Sequence, residues 1–266
     1  MNQLQSCELK ILLEIDRICK ENQIRFFLCA GTLLGAIRHR GFIPWDDDVD
    51  IMMPAEDYWR FLEIAPKALG KDFFLQSTDT DLWYRAFSKV RMNHTTMIET
   101  CYENVCFHQG VWVDVFPIVS INNNQKDIDK FNKMIIWTDL LVQDAFYRKA
   151  EHLPLKLRLI KMIPLSLRRS LCKTIRKKHI KTDESLPSCA YYWGFPIRAE
   201  KCLPQLFQEE IQVPFEGYML PVPKEYDKLL TVDYGDYMTP PPEDKRNSGH
   251  FIRILDLQHD YTDYIS

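Results

Sequence analysis

Residues 31–54 read GTLLGAIRHRGFIPWDDDVDIMMP, and this stretch decides the predicted fold. Four acidic residues stand at the start of an apolar run, at positions Asp46, Asp47, Asp48 and Asp50. Such a run predicts a β-strand whose beginning carries carboxylates. Because side chains alternate along a strand, Asp48 and Asp50 are expected on one face, with Val49 directed into the protein.

Two carboxylates on one face repel each other unless they hold a cation or share a proton. Oxygen ligands of this kind suit Mg²⁺, with Mn²⁺ as the alternative ion. An EF-hand does not fit, because Ile51 and Asp57 stand where that loop needs Gly and Glu. A solvated acidic loop is the other alternative, but it would need no apolar strand behind it.

The Gly31-Thr32 pair lies between an apolar segment, 24–29, and a short helical segment, 33–38. A strand-to-helix turn exposes backbone N–H groups, which favour phosphate, and the Thr32 hydroxyl adds a donor. Arg38 follows this helix and is predicted to bind a phosphate oxygen, although a lone arginine is often only a surface residue.

Residues 110–118, GVWVDVFPI, carry the second acidic signal, because Asp114 stands alone inside an apolar strand. A buried carboxylate without a partner is costly, so Asp114 is expected to meet a metal, a cation or a proton donor. The alternative is an edge strand that exposes Asp114 to water.

The string GTLLGAIRHRGFIPWDDDVDI and the later YGDYMTPP at 234–241 resemble the LicD family, which has the nucleotidyltransferase fold of the DNA polymerase β superfamily. The resemblance implies an α/β (α+β) protein with a mixed sheet, flanking helices and a helical insertion. It also implies that Asp48, Asp50 and Asp114 are the metal ligands and catalytic residues. Asp114 would help a second metal to activate the acceptor hydroxyl or would act as general base.

Further residues receive a predicted role around this site. The resemblance places Lys89 and Arg91 near the donor nucleotide, whereas Asp46 and Asp47 are expected to orient the metal ligands. Lys245 and His250 follow the prolines at 240–242 and are predicted to reach donor phosphate or acceptor, with a polar loop as an equal alternative.

The resemblance further implies the reaction. A LicD-like enzyme moves a phospho-alcohol, such as phosphocholine, from CDP-choline or another CDP-alcohol to a glycan hydroxyl and releases CMP. The acceptor would be a cell-surface glycan of the lipopolysaccharide, teichoic acid or capsule type. Two alternatives stay open: a nucleotidyltransferase that moves a nucleoside monophosphate from an NTP, and a non-catalytic nucleotide- or glycan-binding module.

Net charge and the distribution of apolar residues indicate which partners and which cellular location to expect. The 266 residues have a net charge of −3, which gives no reason to expect nucleic acid. The first residues do not resemble a signal peptide, and no apolar run is long enough to span a membrane, so a cytoplasmic location is predicted.

The predicted organisation is a catalytic core at 1–124, a basic helical insertion at 125–188 and a C-terminal part at 189–266 that completes the domain. Helices are predicted at 3–22 and 56–69, strands of the mixed sheet at 73–76, 85–92 and 95–99, and a linker at 182–188. Residues 149–181 contain eleven Lys or Arg and one acid, with leucine or isoleucine every four residues. This pattern fits peripheral contact with the inner face of the cytoplasmic membrane, or equally a helix with a solvated basic face.

Overall fold

The computed structural model describes residues 1–144, 155–190, 197–198, 206–247 and 250–265. Its helices are α1 (Gln3–Asn22), α2 (Ala30–His39), α3 (Ala55–Ala68), α4 (Gln125–Val142), α5 (Leu155–Lys161), α6 (Leu165–His179) and α7 (Tyr226–Tyr234). Its strands are β1 (Phe27–Leu28), β2 (Asp50–Pro54), β3 (Phe73–Gln76), β4 (Ser88–Met92), β5 (Thr96–Glu99), β6 (Trp112–Ser120), β7 (Ser188–Ala190), β8 (Glu210–Phe215), β9 (Tyr218–Pro223) and β10 (Ile252–Asp256).

The main sheet has the strand order β1-β2-β6-β4-β3, and β7 also pairs with β6. Strands β2 and β6 run parallel, whereas the other pairs in this sheet are antiparallel. Helices α1 and α3 pack on the sheet, and most buried apolar side chains form one large core cluster, with two smaller clusters in addition. The predicted α+β class with a mixed sheet and flanking helices is therefore confirmed.

Helix α1 shows how local sequence sets these elements. Asn2 and Gln5 form a reciprocal capping box at its N-terminus, which satisfies two backbone N–H groups. The helix ends at Gln23, which adopts a left-handed conformation. Gln5 also donates a 3.1 Å hydrogen bond to the Asp46 carbonyl oxygen, so the start of α1 is attached to the acidic loop.

The register of the central strands aligns three charged residues. Asp50 of β2 pairs with Asp114 of β6, and Asp114 pairs with Lys89 of β4 on its other side. Residues paired across a sheet point to the same face. The sheet therefore carries a row of two carboxylates and one ammonium group across three strands.

Two sequence-based expectations are corrected. Residues 95–99 were expected in the mixed sheet, but β5 pairs with β10 in a separate two-stranded sheet. Strand β4, which precedes β5 in the chain, already pairs with β3 on one side and with β6 on the other, so β5 cannot pair with it. Residues 182–188 were expected to be a linker, yet the Thr182 hydroxyl accepts a 2.9 Å hydrogen bond from the Ala55 N–H and β7 joins the sheet.

The basic insertion contains α4, α5 and α6, and α6 packs on α4. No helix in the described part of the chain is long and apolar enough to cross a lipid bilayer.

Candidate active site

The acidic loop, residues 46–49, leads directly into β2, and its Asp46 side chain lies against Gly31 in the first turn of α2. The backbone N–H of Asp50 donates a 2.8 Å hydrogen bond to the Thr32 hydroxyl oxygen, and the Cys29 N–H donates to the Asp50 carbonyl oxygen at 3.1 Å. Thr32 is buried, so its hydroxyl fixes the start of β2 against the start of α2. Strand β2 begins at Asp50, and Asp48 lies just before it in the loop.

Asp48 and Asp50 are both buried, although each is a carboxylate. Burial, followed by the neighbouring charge of Asp50, raises the pKa of Asp48 well above its usual range. Burial and the charge of Asp114 raise the pKa of Asp50 in the same way. The Oδ1 atom of Asp50 has no hydrogen-bond partner among the described residues. The negative charges of Asp48 and Asp50 are therefore not fully balanced by the cations near them.

Asp46 extends this cluster toward α2. Burial raises its pKa to about 6, although a hydrogen bond with Asp48 acts in the opposite direction. The Asp46 carboxylate lies so close to Gly31 that a Cβ atom there would stand 2.6 Å from Oδ2. A negative group at this place is favoured by the N-terminus of α2, where Cys29 makes no side-chain capping bond. Gly31 therefore leaves room for a charged group at the helix start.

Asp114 meets a cation, as its isolated position predicted. The Lys89 ammonium lies 2.8 Å from Oδ1, and the Trp112 indole N–H donates to Oδ2 at 3.1 Å. The same ammonium lies 4.1 Å from the centre of the Trp112 ring. Asp114 is fully buried in a strand that has neighbours on both sides, so the edge-strand alternative is wrong.

Lys89 and Arg91 share one face of β4, but both are buried. Arg91 donates to the Gln76 amide oxygen at 2.8 Å and to the Gly110 carbonyl oxygen at 2.7 Å. Burial lowers the pKa of Arg91 to about 10. The structure therefore places these two cations beneath the acidic cluster, where Lys89 balances Asp114, and their predicted contact with the donor stays a prediction.

His250 comes from the C-terminal segment and lies against the acidic loop. Its Nδ1 is 2.9 Å from Asp47 Oδ1, and its Nε2 is 3.8 Å from Asp48 Oδ2. Burial acts to lower its pKa, but the hydrogen bond with Asp47 and the charges of Asp48 and Asp47 outweigh burial and raise the pKa to about 9. Lys245 lies in an exposed turn, 243–245.

A cleft of about 330 Å³ opens beside the acidic cluster. It is lined by a helix start, an arginine, a carboxylate and aromatic side chains, including Gly31, Arg38, Asp46, Trp45, Tyr234 and Tyr237. The Arg38 guanidinium donates to the Tyr237 carbonyl oxygen at 2.8 Å. Two of the residues predicted to bind phosphate, Gly31 and Arg38, therefore line the same cleft. Lys245 is not among the described residues that line it.

Sequence reasoning missed Glu8, which is fully buried on α1. Neither oxygen of its carboxyl group has a hydrogen-bond partner in the described part of the chain. Burial, and then the charges of Asp47 and Asp46, raise its pKa well above the usual range. The sequence did offer an indication that Glu8 is buried. It lies four residues from both Leu4 and Leu12, within the apolar stripe of the helix.

The residues present fit a divalent cation. Asp48 and Asp50 are buried, mutually repelling carboxylates, and one oxygen of Asp50 has no hydrogen-bond partner among the residues that the structure describes. Ligand atoms of Asp47, Asp48 and His250 lie within 4.8 Å of one another. Asp48 and Asp50 would hold the ion, whereas Asp114 is compensated by Lys89 in the absence of one.

Clustered carboxylates in an α+β fold, beside a helix start and a cleft, are an arrangement typical of phosphotransferases. A family model described as LicD/FKTN/FKRP, nucleotidyltransferase domain, matches residues 23–159. The chain belongs to this family and is a LicD-like phosphotransferase.

Two relatives illustrate the extent of the similarity. The chain is 26% identical over 256 residues to the lipopolysaccharide cholinephosphotransferase LicD of Haemophilus influenzae, covering 91% of this chain and 92% of that protein. It is also 28% identical over 151 residues to an uncharacterised protein of Rickettsia prowazekii, covering 55% of this chain and 44% of that protein. The first similarity spans nearly the whole of both chains.

Proposed function

We propose that this protein transfers phosphocholine, or a related phospho-alcohol, from its CDP-activated form to a hydroxyl of a lipopolysaccharide or similar cell-surface glycan. The acceptor oxygen forms a bond to the phosphorus that carries the alcohol. The bond from that phosphorus to the bridging oxygen of the diphosphate breaks, CMP leaves, and the hydroxyl proton passes to a carboxylate. The similarity to a lipopolysaccharide cholinephosphotransferase supports the transferred group and the acceptor class.

The observation that carries the proposal is the excess of buried carboxylate around Asp48 and Asp50, where one Asp50 oxygen has no partner in the described part of the chain. Mg²⁺, when bound there, would neutralise charge on the diphosphate oxygens. Asp46 and the first turn of α2 border the same cleft, so the diphosphate would lie between a helix start and the acidic cluster. Arg38 lines the same cleft and supplies a positive charge to it.

Aromatic side chains in the cleft support a cationic alcohol such as choline. Trp45, Tyr234 and Tyr237 line it, and the Arg246 guanidinium already lies 4.9 Å from the centre of the Trp45 ring. A quaternary ammonium binds aromatic faces through the same cation–π attraction. The aromatic side chains of this cleft are therefore the proposed position of the choline head group.

Asp114 is the proposed acceptor of the hydroxyl proton, directly or through a second metal. Lys89 and the Trp112 indole hold its carboxylate in one orientation. A base with a fixed orientation needs no reorganisation when the hydroxyl arrives. Asp47 and His250 hold each other at 2.9 Å and would keep the acidic loop in place.

The test is product analysis with purified protein, Mg²⁺, CDP-choline and a lipooligosaccharide acceptor. CMP release that requires acceptor and metal, and that disappears in Asp48→Asn and Asp50→Asn, is the expected result. CDP-ethanolamine, CDP-ribitol and CDP-glycerol, run in parallel, identify the alcohol. Pyrophosphate release from CTP or another NTP, without CMP from any CDP-alcohol, would instead assign the nucleotidyltransferase alternative.

A further inference from the structure

Helix α6 reverses the usual arrangement of an amphipathic helix. Its buried residues are Arg168, Cys172 and Arg176, whereas Leu167 and Leu171 are exposed to 59% and 48%. A surface helix ordinarily buries its leucines and exposes its arginines. Helix α6 therefore buries two arginines and presents two leucines to the outside, among exposed serine, threonine and lysine side chains.

The buried arginines are held by specific partners, so the orientation of α6 is well determined. Arg168 forms two 2.8 Å hydrogen bonds to the Asp144 carboxylate and one to the Leu141 carbonyl oxygen at 2.7 Å. Arg176 donates to Asp139 at 2.7 Å and to the Tyr84 carbonyl oxygen at the same distance. Rotating α6 to bury its leucines would break both networks and leave charges unpaired.

The apolar face extends beyond α6 through residues 159–171, named here the leucine face. Ile163, Leu167 and Leu171 follow at four-residue spacing, and Leu159 and Met162 precede them in α5 and the turn after it. All five side chains are exposed, Met162 to 79%. Five exposed large apolar side chains within 13 residues indicate an interaction surface.

Charge identifies the partner. Residues 155–181 contain ten Lys or Arg and no Asp or Glu. The whole chain has a net charge of −3, so the residues outside 155–181 together have a net charge of −13. Arg158 and Lys178 are exposed at the two ends of the leucine face, and Lys178 is seven residues beyond Leu171, on the same side of the helix. Apolar side chains bordered by cations match the surface of an anionic bilayer.

We infer that the leucine face docks this protein peripherally on an anionic lipid bilayer. Leu159, Met162, Leu167 and Leu171 enter the acyl boundary, while Arg158 and Lys178 contact the phosphate groups of the lipids. The expected binding is reversible, because the buried apolar area is that of one short amphipathic segment. This inference goes beyond the transfer reaction, which can be assayed without a membrane.

The test is sedimentation of the full chain with vesicles of phosphatidylcholine alone and of phosphatidylcholine mixed with phosphatidylglycerol. Binding to the anionic vesicles is expected, and Leu167→Ser/Leu171→Ser should weaken it roughly tenfold or more. Lys178→Gln should weaken it less and reduce its dependence on salt. The matched control is Leu255→Ser, since Leu255 is also 48% exposed but lies on β10.

Three results would overturn the inference. One is absence of binding to either vesicle. A second is binding that the double serine variant leaves unchanged, since the leucines would then not enter the bilayer. The third is a dimer in light scattering that the double variant converts to a monomer, which would assign the leucine face to a second copy. Circular dichroism and thermal unfolding of each variant show whether its fold is intact.

Discussion

Asp114 of β6 and Lys89 of β4 face each other across the sheet, with the ammonium 2.8 Å from the carboxylate Oδ1 and both side chains buried. Removing one member of a buried ion pair leaves the other charge unpaired. Lys89→Met is therefore expected to lower the free energy of unfolding by about 3–5 kcal/mol, measured by urea denaturation.

Two variants provide the comparison for this loss. Lys89→Met/Asp114→Asn should recover much of the stability, because the unpaired charge is gone. Lys177→Met breaks the exposed pair with Glu63 and should cost less than about 1 kcal/mol. A loss below that size for Lys89→Met itself would contradict the role assigned to this pair.

Asp50→Asn is expected to stabilise the metal-free protein while removing its response to Mg²⁺. The variant takes one buried carboxylate out of a cluster in which the acids outnumber the cations, which should raise the unfolding free energy by roughly 1–2 kcal/mol. The measurement is thermal unfolding with EDTA and with Mg²⁺. The exposed Asp129 of α4 offers the control, since Asp129→Asn should leave both values unchanged. A destabilised, Mg²⁺-responsive Asp50→Asn variant would contradict the proposed metal site.

Gly31→Ala and Gly35→Ala should differ, although both glycines lie in α2. A Cβ at position 35 would stand 2.5 Å from the Gly41 carbonyl oxygen, which is backbone and cannot move easily. Gly35→Ala is therefore expected to lower the free energy of unfolding, measured by urea denaturation, by about 2–3 kcal/mol. At position 31 the new Cβ meets only the Asp46 side chain, and alanine favours the helix, so the loss should stay below about 1 kcal/mol.

The Gly31→Ala variant should nevertheless bind Mg²⁺ and CDP-choline more weakly. The new methyl group would displace the Asp46 carboxylate, which lies beside the proposed metal site and lines the cleft. Isothermal titration calorimetry measures this effect. Unchanged affinity in a folded Gly31→Ala protein would show that the space beside Gly31 is not needed for ligand binding.

His250 should make metal-free stability depend on pH. Its pKa in the folded protein is about 9, above the ordinary value of 6.5, so protonation favours the folded state. The contribution is fully present below pH 6.5 and is lost as pH rises toward 9. The size is on the order of 1–3 kcal/mol, and His250→Gln should remove it. Thermal unfolding across this range, in EDTA, provides the measurement. An unchanged pH profile in His250→Gln would assign the dependence to other groups.

Much of the fold followed from local sequence. The β3 bounds agree with the predicted strand at 73–76, and the helices at 3–22 and 56–69 appear as α1 and α3 with ends shifted by one residue or none. Periodicity identifies such elements because each buries one face. Periodicity does not give pairing partners, and β5 was accordingly assigned to the wrong sheet.

The site was less predictable, because its charges are balanced by residues distant in the chain. The sequence indicated that Asp114 needed a cation, but the choice of Lys89 depends on the register between β4 and β6. Arg168 and Arg176 belonged to a predicted basic surface, yet acids on α4 and the segment after it hold them in the interior. Similarly, only the folded chain brings Glu8 under the acidic loop.

Strands β2 and β6 run parallel, and this pairing has a consequence for how the enzyme is made. The chain between Asp50 and Asp114 must cross over through α3 and three further strands before the two carboxylates can meet. A nascent chain therefore emerges from the ribosome with its acidic loop long before the partner strand, and His250 follows last. Because such non-local pairing forms late, phosphotransfer activity is expected only after the segment that carries His250 has been made.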